Sequence, residues 1–266
     1  MIHPLRRIAF RVEYDGTGLH GWQAQPSGIP TVQQRLEDAI TGVIGQAVQV
    51  RGASRTDAGV HALDQLAAVS VAHPIRPGGL CKGVNRRLAP AIAIRDAREV
   101  PLDFNPRFAN RGKIYRYRLY HGRMPRPLLD RYAWRVPQPF EPSRIEQAAS
   151  AFLGEHDFTS FAAGDGGHRH AIREIRRIAL SADRDGVLEL RVEGTGFLKH
   201  MVRNIAGTLV DIARGRFEVD AVPGMIGARD RSRAGVTAPP QGLCLERMLI
   251  DDAAFVLGGE GAGEAG

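Results

Sequence analysis

The segment most informative about chemistry is residues 51–61, which contain one carboxylate, Asp57. Two basic side chains flank it, Arg55 before it and His61 after it. A carboxylate that stays ionised beside basic groups can act as a nucleophile or as a base. Two glycines in the segment allow the backbone to turn tightly and to approach a ligand. Taken alone, however, a loop aspartate more often caps a neighbouring backbone group than reacts.

The residues on either side of this loop are predicted to alternate between strands and helices. Alternating apolar and polar residues predict the strands, and a helix is predicted to begin at the capping box of Thr31 and Gln34. The predicted strands are residues 8–14, 48–52, 65–71 and 92–98, and the predicted helices are residues 31–44 and 80–88. Their order is β-α-β-β-α-β, and the Asp57 loop lies between two of the strands.

The second part of the chain repeats this order without obvious sequence identity. Its predicted strands are residues 114–120, 172–182, 187–193 and 243–250, and its predicted helices are residues 143–153 and 197–214. Ser143 and Glu146 form a capping box at the start of the first helix, and Gly154 is its predicted stop. Residues 122–142 are predicted to be a crossing loop, and residues 215–240 to be irregular.

Two units of this order are typical of a duplicated split β-α-β fold. The sequence therefore predicts an α+β protein of two ferredoxin-like halves, with a pseudo-duplicated, mainly antiparallel sheet and helices on one side. The predicted halves are residues 1–110, which carry the Asp57 loop, and residues 111–257. A central cleft between duplicated halves is a natural place for an active site. The Gly-rich residues 258–266 are predicted to be a disordered tail.

The charge of the chain favours a polyanionic partner. Its 266 residues include 36 Lys and Arg against 29 Asp and Glu, which gives a net charge of +7. Basic side chains neutralise phosphates and release their counterions. A basic solvated surface is the alternative interpretation of the same composition.

Other side chains show no pattern typical of a metal site or a disulfide. Cys81 and Cys244 have no metal-binding spacing, and we expect them to be reduced thiols in a cytoplasmic protein. His168 and His170 have a spacing that could hold a metal, but no Cys or acidic partner follows in pattern. No apolar run approaches the ~20 residues that cross a bilayer. We expect neither a bound metal nor a membrane association.

The string Gly-Ala-Ser-Arg-Thr-Asp-Ala-Gly-Val-His-Ala at residues 52–62 closely resembles the signature of the tRNA pseudouridine synthase A family. The usual form of that signature is G-A-G-R-T-D-A-G-V-H-A, so Ser54 replaces a glycine. Asn105 and Pro106 also depart from the family, which usually has His-Ala there. Further blocks resemble the family in the same order, at residues 14–26, 31–33, 111–117, 154–161, 197–204 and 238–245.

The resemblance implies an activity and a role for four residues. Asp57 corresponds to the catalytic aspartate, Tyr115 to a tyrosine that stacks on the target base, and Arg203 to the basic residue that pairs with the aspartate. Arg55 corresponds to an arginine beside the flipped nucleotide. The implied reaction is isomerisation of uridine to pseudouridine at positions 38, 39 and 40 in the anticodon stem-loop of tRNA. The family works without metal or cofactor, as a homodimer that holds one tRNA across both subunits.

Two other functions are alternatives. A nuclease that acts through Asp57 and His61 would normally need a second carboxylate, and Asp64 is the only nearby candidate. A non-catalytic tRNA-binding or RNA-folding protein would be expected to lack Asp57, Tyr115 or Arg203, and all three are present.

The assigned roles also predict a contact. If Arg203 pairs with Asp57, a guanidinium nitrogen should lie within ~4 Å of a carboxylate oxygen. The predicted helix of residues 197–214 places Lys199 one turn before Arg203 and on the same face.

Overall fold

The structure is a computed structural model that describes residues 3–26, 28–164 and 170–250. The chain divides into two compact units. The first contains Met1–Thr56, Ala62–Arg111 and the described residues from Met248 onward, and the second contains Asp57–His61 and Gly112–Arg247. The predicted boundary between residues 110 and 111 stays a prediction. His168 and the predicted disordered tail at residues 258–266 lie outside the described residues.

The first unit has the predicted order β-α-β-β-α-β. Its strands pair antiparallel in the order β4-β1-β3, with β2 on β3. The elements are β1 (Arg6–Tyr14), α1 (Val32–Ile44), β2 (Val50–Gly52), β3 (His61–Val71), α2 (Pro77–Leu88) and β4 (Ile92–Val100).

Local signals in the sequence explain the first unit. Thr31 is the N-cap of α1, as predicted, and its side chain accepts a hydrogen bond from the Gln34 backbone N–H at 3.3 Å. Gly45 ends α1 in the left-handed conformation, with φ +69°. Helices α1 and α2 pack closely, because a Cβ at Gly83 would lie 2.8 Å from the Val43 side chain.

The second unit contains the predicted order with insertions. Its strands run β5-β9-β8-β7 antiparallel, and β6 pairs parallel with β5. The elements are β5 (Asn110–His121), α3 (Pro127–Asp130), β6 (Trp134–Val136), α4 (Pro142–Ala149), β7 (Gly154–Asp157), β8 (Ile172–Ala182), β9 (Leu188–Gly194), α5 (Met201–Ala213), α6 (Val222–Ala228) and β10 (Leu243–Ile250). The insertions α3 and β6 lie in the predicted crossing loop, α6 lies in the segment predicted to be irregular, and β7 is a further strand that was not predicted.

The predicted start of α4 is wrong. The N-cap is Glu141, which makes no side-chain capping bond, and Pro142 occupies the first turn. Proline suits that position because its fixed φ is helical and its missing N–H would be unsatisfied there. Ser143 therefore lies inside the helix and does not cap it. Gly154 is not the stop either, because α4 ends before a 3-10 turn and Gly154 begins β7.

The predicted start of α5 is also wrong. The helix begins at Met201, because the preceding His200 has a left-handed backbone with φ +64°. Lys199 is exposed and precedes the helix, so it is not the residue one turn before Arg203 on a helical face.

The fold class is confirmed at the level of an α+β protein with mixed, mostly antiparallel sheet. Helices on one side of the sheet and a central cleft stay predictions. In the part of the chain that the structure describes, no helix combines the length and apolar character needed to span a membrane.

Candidate active site

The backbone that leads into Asp57 is fixed by hydrogen bonds within the first unit. The Thr56 hydroxyl lies 2.8 Å from the Tyr14 hydroxyl, and the Thr56 carbonyl accepts from Trp22 N–H at 3.1 Å. The fully buried Gln65 side chain accepts from Ser54 N–H at 3.2 Å and donates to the Ser54 carbonyl at 2.7 Å. The serine that replaces the family's usual glycine is thus held through its backbone.

A tight turn follows Asp57. Val60 N–H donates to the Asp57 carbonyl at 3.2 Å, and Gly59 has a left-handed φ of +76°. A Cβ at position 59 would lie 3.1 Å from Pro240 Cγ. Glycine is therefore required here both by the backbone conformation and by the close approach of Pro240.

The carboxylate of Asp57 is contacted by two basic side chains from the N-terminal end of α5. Arg203 Nη1 lies 3.3 Å from Asp57 Oδ2, within the distance expected from the sequence. His200 Nε2 lies 3.7 Å from the same oxygen. The side chains remain accessible, at 23% for Asp57, 13% for Arg203 and 30% for His200. The start of a helix favours an anion, because the helix dipole is positive there.

Arg203 is itself anchored by residues 238–240, which we call the strap. Arg203 Nε donates to the Ala238 carbonyl at 2.8 Å, and Ala238 N–H donates to the Arg203 carbonyl at 3.1 Å. The Tyr117 hydroxyl donates to the Pro239 carbonyl at 2.8 Å. Since Pro240 abuts the turn at Gly59, the strap contacts both the arginine and the aspartate loop.

Tyr117 is fully buried, and this burial raises the pKa of its phenol well above the ordinary value, although the positive charge of Arg203 acts in the opposite direction. The phenol therefore stays protonated over the physiological range and continues to donate to the strap.

Close packing and buried polar groups hold α5 against the residues before the strap. A Cβ at Gly207 would lie 1.8 Å from the Val236 carbonyl oxygen, so only glycine fits. The buried Thr208 hydroxyl accepts from Gly235 N–H at 2.9 Å, and the buried Asp211 carboxylate accepts from Val236 N–H at 3.1 Å. The helix that presents Arg203 is thereby fixed relative to the strap.

The other two assigned residues have different surroundings. Tyr115, on β5, is 6% exposed, and its ring packs edge-on against Phe197 with centroids 5.2 Å apart. It is therefore not an open platform. Arg55 is exposed, two residues before Asp57.

Three features of the site were missed from the sequence: His200, Tyr117 and the strap. His200 lies three residues before Arg203 in a block that matches the family, and this proximity was the available signal. The strap also lies in a matching block, but nothing in its composition indicates a hydrogen bond to Arg203 or Tyr117.

The nuclease alternative is not favoured by the surroundings of Asp64. Arg11 Nη1 lies 2.5 Å and 2.6 Å from the two Asp64 oxygens, and Met248 N–H donates to Asp64 Oδ2 at 3.0 Å. All three residues belong to the first unit, where these contacts hold Asp64 in place. Within the described residues, no group of three or more His, Cys, Asp or Glu side chains is arranged to hold a metal.

Comparisons with known proteins agree with the resemblance in the sequence. A family model described as tRNA pseudouridine synthase matches residues 11–109 and 148–249. The tRNA pseudouridine synthase A of Myxococcus xanthus is 44% identical over 246 residues, which cover 92% of each chain. The protein of the same name from Geotalea uraniireducens is 42% identical over 92% of this chain and 100% of its own length.

Among solved structures, a Cbf5-Nop10-Gar1 complex is similar with a TM-score of 0.34 and 11% identity, over 77% of this chain and 54% of that chain. This structural similarity is too weak to support an argument. The matches in sequence are extensive, however, and they include the Asp57 loop and Arg203. The chain therefore belongs to the tRNA pseudouridine synthase family, whose members are intramolecular isomerases.

Proposed function

We propose that this chain isomerises uridine to pseudouridine at positions 38, 39 and 40 in the anticodon stem-loop of tRNA, with Asp57 as the reacting group. Family membership supports the reaction and the tRNA substrate. The observation that carries the assignment of Asp57 is its partly exposed carboxylate, which Arg203 contacts from α5 at 3.3 Å.

The reaction conserves every atom of the substrate. The bond between N1 of uracil and C1′ of ribose breaks, the base turns, and a new bond forms between C5 and C1′. The proton that C5 loses is balanced by one that N1 gains. The base must first leave its stack, which costs a few kcal/mol.

An ionised Asp57 has three possible actions: attack on the sugar, attack on the base, or removal of a proton from the sugar. All three need one carboxylate oxygen that is accessible to the nucleotide. The closest contact of each basic side chain is made to Oδ2, and within the described residues Oδ1 accepts no hydrogen bond. This arrangement supports Oδ1 as the reacting atom.

Arg203 balances the charge of Asp57 and fixes its direction, because its guanidinium binds the carboxylate and the strap at the same time. Tyr115 stacks on the target base, a contact worth ~1–3 kcal/mol per base. Since only 6% of Tyr115 is exposed, stacking requires neighbours such as Phe197 to move. Exposed Arg55 contacts the RNA beside the flipped nucleotide.

We also propose that the protein is a cytoplasmic homodimer. The net charge of +7 supports phosphate binding, and a homodimer in the cytoplasm, with one tRNA held across both subunits, follows the family. The proposed halves are residues 1–110 and 111–257, followed by the tail at residues 258–266. Light scattering at micromolar concentration should give twice the mass of the 29.0 kDa chain, and a monomer mass would contradict the dimer.

The direct test is incubation of the protein with a uridine-labelled tRNA transcript in the absence of added metal. Nucleotide analysis should find pseudouridine at positions 38–40 and no strand cleavage. Transcripts in which each of the three uridines is replaced singly by cytidine identify the positions used. If the folded protein binds the transcript but forms no pseudouridine in it, the result would instead support the alternative, a non-catalytic tRNA-binding or RNA-folding protein.

Phosphate binding by the arginines can be tested through the salt dependence of tRNA binding. If several arginines bind phosphate, the logarithm of the association constant should fall against log salt with a slope of roughly 0.7–0.9 per contact. A flat titration from low to physiological salt would exclude this mode of binding.

A further inference from the structure

The backbone of His200 is unusual for its position. His200 is the N-cap of α5, and its φ of +64° is left-handed. This conformation is unfavourable for residues with a Cβ, and N-cap residues ordinarily have extended backbone. Strained residues of this kind tend to persist at functional sites. The side chain of His200 therefore needs an explanation beyond helix capping, and it makes no capping hydrogen bond.

A second residue provides the comparison. Among the described residues, Arg229 is the other non-glycine with a positive φ, at +49°. It is the C-cap of α6, and the end of a helix is a common place for the left-handed conformation. Its side chain is 69% exposed. Arg229 thus follows ordinary helix geometry, whereas His200 does not.

The imidazole of His200 reaches the proposed reacting carboxylate. His200 Nε2 lies 3.7 Å from Asp57 Oδ2, the oxygen that Arg203 Nη1 contacts at 3.3 Å. The distance to His200 is slightly longer than a hydrogen bond. Such contacts are often long before substrate binds and shorten in the complex. Two basic groups therefore converge on one oxygen of Asp57.

We propose that His200 is a positioning residue for the isomerisation. Together with Arg203 it holds Oδ2, so that Oδ1 faces the uridine. The left-handed backbone at the start of α5 presents the imidazole to the carboxylate, which accounts for a histidine where glycine or asparagine would be less strained. This inference rests on the proposed function, because His200 acts through Asp57 and not on the substrate directly.

The test compares His200→Gly with the matched control Arg229→Gly. Each substitution removes a side chain and relieves the same kind of backbone strain. For His200→Gly we expect kcat to fall by about 10- to 100-fold, the effect of misplacing a reacting group. KM for the tRNA transcript should stay within about twofold, and the melting temperature should not fall. Arg229→Gly should keep kcat within about twofold of the wild type.

Two results would overturn the proposal. The first is a His200→Gly enzyme whose kcat is unchanged, and the second is a loss of kcat that accompanies a lower melting temperature, as expected of a purely structural role. The wild-type enzyme separates this inference from the proposed function. If the wild type forms no pseudouridine, the proposed function fails and the inference fails with it. If the wild type is active and His200→Gly is equally active, only the role of His200 is wrong.

Discussion

Asp57 and Asp64 lie seven residues apart, and each is paired with an arginine, yet their oxygens are bound differently. Arg11 contacts both oxygens of Asp64, and Met248 N–H binds one of them as well. Among the described residues, Asp57 accepts its side-chain hydrogen bond at Oδ2, from Arg203, and His200 lies closest to the same oxygen. The exposed fractions of the two aspartates are similar, 23% for Asp57 and 17% for Asp64.

Exposure therefore does not distinguish the proposed reacting carboxylate, Asp57, from Asp64, which has a structural role. The two aspartates differ in the number of carboxylate oxygens that accept a hydrogen bond. Both oxygens of Asp64 are bound, by Arg11 and by the Met248 backbone, whereas among the described residues Asp57 Oδ1 accepts no hydrogen bond. An aspartate–arginine contact is therefore weak evidence for catalysis until the second oxygen has been accounted for.

The largest expected difference is between Asp57→Asn and Asp64→Asn. Asp57→Asn should lower turnover by more than about 10³-fold, because it removes the proposed reacting group, while tRNA affinity stays within about tenfold, ~1.4 kcal/mol. Asp64→Asn should retain turnover but lose about 1–2 kcal/mol of unfolding free energy. Pseudouridine analysis, filter binding and denaturant unfolding measure the three quantities. Residual turnover above a few per cent in Asp57→Asn would remove Asp57 from its role.

Substitutions of the two arginine partners should give the same contrast between turnover and stability, with smaller effects. Arg203→Lys should lower kcat by about 10- to 100-fold, because one ammonium group cannot replace the guanidinium contacts to Asp57 and Ala238 together. Arg11→Lys should keep kcat and lose about 1 kcal/mol of stability. Single-turnover kinetics measure the change in the rate of the reaction, and unfolding curves measure the change in stability. Equal kcat losses in both variants would contradict the assignment of the Arg203–Asp57 pair to turnover and of the Arg11–Asp64 pair to stability.

Much of the first unit could be predicted from sequence because its signals are local. The Thr31 cap and the period of each strand lie within a few residues of the elements that they specify. The Asp57 loop was found for a similar reason, as a continuous string that matches the family. The strap could not be predicted, because it depends on bonds such as Tyr117 to Pro239, 122 positions apart. The left-handed His200 was missed because the apolar pattern of α5 continues through it.

Two glycines test whether the turn after Asp57 positions the carboxylate. Gly59 and Gly45 both have left-handed φ, so alanine at either position should cost about 1–2 kcal/mol of stability. A Cβ at Gly59 would press on Pro240, whereas a Cβ at Gly45 would meet nothing within 4 Å. We expect kcat to fall about tenfold in Gly59→Ala only. If both variants keep full kcat, the contact with the strap does not control the aspartate.

The smallest expected effect concerns Tyr117. This residue makes no hydrogen bond to Asp57 but binds the strap that anchors Arg203. Tyr117→Phe removes the hydrogen bond to the Pro239 carbonyl, and we expect a loss of about 1–2 kcal/mol of unfolding free energy with a kcat reduced only a few-fold.

The pH dependence of stability provides the specific readout. Burial raises the folded-state pKa of Tyr117 above the unfolded value of about 10. Between the two values the folded state holds one more proton than the unfolded state, so stability falls as pH rises. The stability difference between wild type and Tyr117→Phe should therefore be constant below about pH 10 and should shrink above it. Taking the difference cancels the titration of other residues. A difference that stays constant through alkaline pH would show that the phenol ionises as readily in the folded protein as in the unfolded chain, and the strap would then need a different anchor.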